Sequence, residues 1–385
     1  MIRAAASLVS FVVTIASGMI ANAQSPLAPR PVQSAPAAAP EAARGVLKLD
    51  GRPLPLGGSL NAPQAWIAYK QRFVTATGRV IDTANGQISH SEGQGYGMLL
   101  AVAANDRPAF ERIWGWTRAN LMVRDDQLIA WRWTPGQRPP ITDMNNATDG
   151  DILVAWALAE AADLWADAAY RASGRRIAVE VARKTVMFKT KQGALLLPGV
   201  LGFSASDRPD GPVINLSYYV FPAFARLSIV APEVDWNGLI QTGLDQIRMA
   251  RFGDTKLPSD WISVRNDQLR PADGFPRQFS YNAIRIPLYM AWAGVGEWDH
   301  YSAFHAWATR PRGLATINLE NGMDADRLSE RGYSAISTLL ACALDRKPAG
   351  PDFRTVREGE HYYSVTIQLL AMAAANMRYN SCQGG

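Results

Sequence analysis

Residues 151–165 read DILVAWALAEAADLW, fifteen positions of which only Asp151, Glu160 and Asp163 are charged. At a 3.6-residue period such a segment is apolar on almost every face, and a helix of that kind must be buried on more than one side. It is too short to span a bilayer as a helix. An inner layer of apolar helices wrapped by amphipathic ones satisfies it, and a closed double ring of helices is the natural form.

The rest of the chain agrees with an all-α architecture. The helical period predicts helices over 63–74, 97–105, 107–122, 149–166, 217–230, 236–251, 283–293, 335–345 and 363–377. Strand signals are few, QLIAWRW at 127–133 being the strongest, and strands do not alternate with helices as in α/β folds. No fixed-period repeat is visible. With 48% hydrophobic residues in 385, the chain can build a substantial core.

The first 23 residues have a basic start, an apolar run and an A-x-A ending, the pattern of a cleavable secretory signal. Residues 24–44 are dominated by Pro and Ala and read as a tether, leaving 45–385 as one folded domain. No later segment is long and apolar enough for a membrane span. An exported chain meets an oxidising compartment, so Cys342 and Cys382 could pair. Cys342 lies in the apolar run AISTLLACAL, where a buried inert thiol is the alternative. The net charge of +5 is spread along the chain and fits a solvated surface rather than a nucleic-acid patch.

Two helix starts share one design. In SEGQGYGMLLAV, Ser91 is the expected cap, with Glu92, Gly93 and Gln94 as the first three helical residues; in TDGDILVAWAL, Thr148 caps Asp149, Gly150 and Asp151. Gln94 and Asp151 can each reach back to the cap's backbone N–H. Glu92 and Asp149 are left without such a task. Dipole compensation would account for either alone. Two acids, each followed by a glycine, suggest instead that a bulky ligand approaches the helix ends. Tyr96, Trp131, Trp133, Tyr218, Tyr219 and Tyr281 lie in loops or at helix starts nearby, whereas Trp114, Trp156 and Trp165 fall at core spacing. Aromatic faces beside carboxylates and arginines suit a sugar. The four histidines, His90, His300, His305 and His361, lack metal-ligand spacing, and no nucleophile elbow or phosphate-binding glycine loop appears, so neither metal nor cofactor is expected. His90 reads as a loop residue, and 193–202 as a turn-rich connector.

SEGQGYGMLLAV, NATDGDILVAWALAEAADLW and YNAIRIPLY, taken in order, resemble motifs of glycoside hydrolase family 8, especially the endoglucanases that accompany bacterial cellulose synthases. The resemblance runs from about Ala65 to Asn376. It implies an (α/α)6 toroid of six inner and six outer helices and inverting hydrolysis of β-1,4-glucans. By similarity, Glu92 matches the general acid and Asp149 the aspartate that holds the sugar at the cleavage subsite. Tyr281 and Arg285 match residues around the catalytic water, and Trp133 and Tyr218 match stacking positions. A β-1,4-glucan partner, cellulose export machinery and a periplasmic or secreted location follow from the same resemblance.

One position departs. Many members read Tyr-Asp-Ala before this Arg and use the Asp as general base, but here the residue is Asn282. A neutral amide cannot take the water's proton. Asp273, Asp267 and Asp260 precede it, and Asp273, in the turn PADGF, is the expected base. The alternatives are a glucan-binding subunit without catalysis, or a hydrolase of chitosan, xylan or mixed-linkage glucan.

Overall fold

The computed structural model describes residues 53–379 and 382, so the expected leader (1–23) and tether (24–44) lie outside the described residues. Eleven α-helices run through this part: α1 (Pro63–Phe73), α2 (Ser91–Ala103), α3 (Arg107–Asn120), α4 (Thr148–Leu164), α5 (Ala168–Thr185), α6 (Phe221–Val230), α7 (Trp236–Met249), α8 (Arg285–Ala293), α9 (Trp298–Ala308), α10 (Ser334–Asp345) and α11 (Tyr362–Arg378).

Burial sorts them into two layers. Every residue of α8 is buried, every residue of α2 except Glu92, and α4 without interruption from Thr148 to Ala162. α11 is buried almost as completely. These helices touch in the order α2, α4, α6, α8, and α11 packs on both α8 and α2, which closes the ring. α1, α3, α5, α7, α9 and α10 bury one face each against that inner wall or against one another. This is the expected double ring, an (α/α)6 toroid, with eleven helices among the described residues where six plus six would give twelve. None of these helices is long and apolar enough to cross a membrane.

Short antiparallel pairs decorate the loops. β1 (Ser89–His90) pairs with β2 (Arg132–Trp133), and β3 (Val186–Thr190) with β4 (Gly193–Leu196). β5 (Val213–Ile214), β6 (Ile262–Ser263) and β7 (Arg270–Pro271) form one three-stranded sheet. β8 (Gln278–Phe279), β9 (Ala315–Asn318) and β10 (Asp324–Arg327) form another, in the order β10-β9-β8.

Several expectations change. The periodicity missed α5, whose small buried residues Gly174, Ala178 and Ala182 are interspersed with basic ones, and α9, which buries Tyr301, Phe304 and Trp307 on aromatic spacing. Of the strand expected over 127–133, only Arg132 and Trp133 pair, with a lone bridge from Ala130 to Asn146. The helix expected over 217–230 begins as a 3-10 turn, Leu216–Tyr218, and α6 starts afresh at Phe221 with Pro222 in its first turn, where proline is tolerated. The connector at 193–202 opens with β4. Cys342 and Cys382 form a disulfide, Cα atoms 5.3 Å apart, which ties α10 to the segment beyond α11.

The glycines at the two helix starts serve packing. A Cβ on Gly95 would lie 2.6 Å from Leu153 Cβ, one on Gly97 2.7 Å from Val80 Cγ2, and one on Gly150 2.1 Å from Ser91 Oγ and 2.8 Å from Glu92 N. The first turns of α2 and α4 therefore touch backbone to backbone. The expectation that these glycines clear room for a ligand is overturned, because the space they leave is filled by protein: Leu153 of α4 beside Gly95, Val80 beside Gly97 and the start of α2 beside Gly150. Gly150→Ala is expected to cost about 1–3 kcal/mol by overpacking, read as a lower unfolding midpoint.

Candidate active site

Close contact between two helix N-termini decides where the acids go. Glu92 is the second residue of α2 and Asp149 the second of α4, so the Gly150–Ser91 contact sets both carboxylates side by side. The expected caps are not the actual ones. α2 is capped by His90, whose Nδ1 accepts from Gly93 N (3.0 Å), and α4 starts after Ala147 without a side-chain cap. Thr148 Oγ1 instead donates to Leu197 O (2.7 Å).

Gln94 and Asp151 do not reach back either. Gln94 Oε1 accepts from Val80 N (2.6 Å) while its amide donates to Thr117 Oγ1 (2.9 Å); Asp151 accepts from Ile129 N and Asn146 Nδ2, both at 2.8 Å. Each pins a loop onto its helix start. Burial pushes the Asp151 carboxyl up to about 8.

Arg285, the first residue of α8 and 1% exposed, joins the two acids. Its Nη1 donates to Asp149 Oδ2 (3.1 Å) and Tyr96 OH (3.1 Å), and it forms an ion pair with Glu92 Oε2. Nη2 donates to Ser217 Oγ (2.8 Å) and Asn282 Oδ1 (2.9 Å). Although burial opposes it, the charge of Glu92 leads the interactions that hold the guanidinium well above its ordinary value. Asp149, 1% exposed, accepts from Gly150 N (2.8 Å) and is pushed up to about 7, first by burial and then by the Glu92 charge, with Arg285 opposing both.

This shift fixes the sign of a prediction. Between the ordinary aspartate value of 3.8 and about 7, the folded state binds more protons at Asp149 than the unfolded state, so stability falls as pH rises through that window. Asp149→Asn removes the effect. The variant is expected to match wild type near pH 4 and to be more stable above pH 7, by on the order of a few kcal/mol, in denaturation followed across pH.

Glu92, Asp149, Tyr218, Tyr281, Asn282 and Arg285 line one cleft of about 680 Å³. Trp131, Trp261, Tyr333 and Tyr363 supply further aromatic wall. Trp261 is sandwiched between Phe203 (5.6 Å) and Phe275 (4.6 Å). Tyr281 meets Tyr333 and Tyr363 edge-on at 6.2 and 6.4 Å, and Tyr363 OH donates to Tyr281 O (2.6 Å). Asp82, His90, Glu330 and His361 also face the cleft.

Three expected site residues lie elsewhere. Tyr96 is fully buried behind Arg285, its hydroxyl shared with Tyr289 OH, because the α2 turn that carries it faces the core. Trp133 does not line the cleft. It packs edge-on against Trp116 (5.7 Å) under the Arg79 guanidinium (4.9 Å). Asp273 sits on an exposed turn, its carboxylate 3.5 Å from Arg270 Nη2 and its N–H donating to Asp210 Oδ2 (2.8 Å).

The other acids before Asn282 are equally committed. Asp267 is exposed and paired with Lys191 (3.2 Å). Asp260 is buried, which raises its carboxyl; its Oδ1 accepts from Ser280 N and Ala283 N at 2.9 Å, and Asn282 Nδ2 stands 3.5 Å from its Oδ2. Asn282 is thus braced between Asp260 and Arg285. Tyr333, Glu330 and Tyr363 were missed because no periodic or motif signal marks them; tertiary packing alone carries them to the cleft.

The sequence matches glycosyl hydrolases family 8 over residues 57–377. An endoglucanase of Cellulomonas uda is 43% identical over 233 residues, which is 60% of this chain and 64% of that protein. A probable endoglucanase of Novacetimonas hansenii is 34% identical over 81% of this chain and 90% of its own. Among solved structures, the endo-β-1,4-glucanase of Acetobacter xylinum superposes with a TM-score of 0.73 at 32% identity, over 84% of this chain and 99% of that one. With the family match covering the whole toroid and a relative aligned along four-fifths of the chain, this protein belongs to glycosyl hydrolases family 8.

Proposed function

We propose that this protein is an exported endo-β-1,4-glucanase that hydrolyses cellulose with inversion. The observation that carries the reading is the pairing of Glu92 with Asp149 at two abutting helix ends, in a cleft walled by aromatics. In the reaction Glu92 passes the proton held by the Glu92–Asp149 pair to the glycosidic oxygen as the bond from C1 breaks. Water attacks C1 from the opposite face, and a carboxylate takes the water's proton. Asp149 faces the sugar ring at the cleavage point, and the aromatic wall offers flat surfaces to neighbouring sugars.

Asp149 does not suit the role of base. It shares Arg285 Nη1 with Glu92, so the two lie closer than the about 6.5–9.5 Å that accommodates an attacking water. Among the described residues, the remaining carboxylates on the cleft are Asp82 and Glu330, and the base is one of these. The test follows viscosity and reducing ends of carboxymethylcellulose for wild type, Asp82→Asn and Glu330→Gln, each with and without azide. Loss of turnover that azide restores marks the base; retained turnover in both variants refutes the assignment.

Asn282 favours a second reading, a glucan-holding module of a cellulose export machine. Tight polymer binding without turnover by wild type, unchanged in Glu92→Gln, would establish it. A periplasmic or secreted location and a link to cellulose synthesis belong to the same proposal. They are supported by the leader-like residues 1–23 and by the Cys342–Cys382 disulfide, which suits an oxidising compartment.

A further inference from the structure

We infer that His90 is the positioning residue for the proton donor: it caps α2 through Nδ1 and is itself held by Asp82. The inference rests on Glu92 being that donor. The first two turns of α2 carry Gly93, Gly95 and Gly97, demanded by packing. Each glycine weakens a helix by about 0.8–1 kcal/mol relative to alanine, so this end depends on its cap.

His90 has the extended backbone of an N-cap (φ −135°, ψ 157°), and Gly93 N lies 3.0 Å from its Nδ1. Glu92 sits inside the loop that this hydrogen bond closes. Only an unprotonated ring nitrogen accepts, so the imidazole proton is on Nε2, which lies 3.5 Å from Asp82 Oδ2. Asp82 is fixed in turn, its Oδ1 accepting from Ala84 N (3.1 Å).

The ring has no room to turn. It meets Tyr362 of α11 edge-on at 6.0 Å, and a Cβ on Gly93 would lie 3.2 Å from its Cε1. The titratable groups facing it are Asp82 from its own loop, Glu92 of α2, Asp149 of α4 and Tyr362 of α11. Burial favours the neutral ring that this cap requires, whereas the hydrogen bond to Asp82 and the charges of Glu92, Asp82 and Asp149 favour the charged one and raise the pH above which the cap forms. The short tether from His90 to Gly93 fixes the backbone from which the Glu92 side chain reaches Arg285 and the cleft.

The test uses two substrates on the full chain. Cleaving carboxymethylcellulose requires protonation of a sugar hydroxyl leaving group; cleaving 2,4-dinitrophenyl β-cellotrioside does not, since dinitrophenolate leaves unaided. His90→Ala is expected to lower kcat on the polymer about 10²-fold, the scale of an ångström misplacement, and to leave the aryl substrate within about threefold. His90→Asn, whose side-chain oxygen is a good cap, is expected to recover most of the polymer rate.

Equal loss on both substrates, or an Asn variant as impaired as Ala, overturns the inference. Should His90→Ala fail to fold, His90→Asn against His90→Gln gives the same contrast, because the longer amide does not suit the cap. Glu92→Gln run in parallel separates the two failures. If it shows the substrate split and His90→Ala does not, only the role of His90 falls; if Glu92→Gln shows no split, the donor assignment falls first.

Discussion

Glu92→Gln is expected to lower turnover on carboxymethylcellulose by about 10³-fold, within the range that a positioned general acid contributes. Glutamine keeps the size of the side chain and can still hydrogen-bond within the Arg285 network, so polymer binding and fold are expected to survive. The loss belongs to kcat, because the proton is needed as the glycosidic bond breaks and not while the chain lies in the cleft. Glu92 is the only residue of α2 that is not buried, which places it where a substrate can touch it. Viscosity loss and reducing ends, measured beside a polymer-binding assay, check both halves. Turnover within tenfold of wild type would remove Glu92 from the role of donor.

Arg285→Met is expected to have the largest effect on stability. The guanidinium is buried against two carboxylates, Tyr96 OH, Ser217 Oγ and Asn282 Oδ1. Methionine fills some of the volume and leaves Glu92 and Asp149 face to face without a cation, a loss of about 3–5 kcal/mol. Asp149, held at about 7 with Arg285 in place, moves further up once that opposing charge is gone. The variant therefore regains stability as pH falls toward 4, where Asp149 is protonated in the folded state, and is weakest above pH 8. Urea unfolding of both proteins at pH 4.5, 6.5 and 8.5 reads this directly. A variant whose deficit is the same at all three would show that the Arg285 contribution is packing alone.

Arg285 also explains how Asn282 is held in place. Asn282 Oδ1 accepts from Arg285 while its amide nitrogen faces Asp260, a bridge for which a neutral amide has both a donor and an acceptor. A carboxylate there would still accept from Arg285 but would face the Asp260 oxygens without a proton between them. With an amide at 282 the bridge between Arg285 and Asp260 keeps its geometry.

What could be read from the residues was whatever repeats along the chain or is fixed by neighbours in sequence. Helices apolar on all sides demanded two layers, and 151–165 became the heart of α4 in the inner wall. Glu92 and Asp149 stood out because each is an acid at a helix start with no local task. The disulfide stayed open between pairing and a buried thiol, since nothing in the run around Cys342 says that Cys382 returns to it.

Contacts across the ring decided the rest. Gly93 and Gly150 looked like space for a ligand, but Gly93 faces the His90 ring and Tyr362, and Gly150 faces the first turn of α2, contacts invisible until the helices are set together. Asp273 was near Asn282 in sequence, yet the turn after β7 carries it to solvent, while Asp82 and Glu330, some 200 and 48 positions away, face the cleft. Periodicity reports which face of an element is buried. It is silent on which loops converge at one end of a toroid, because that depends on how the helices close the ring.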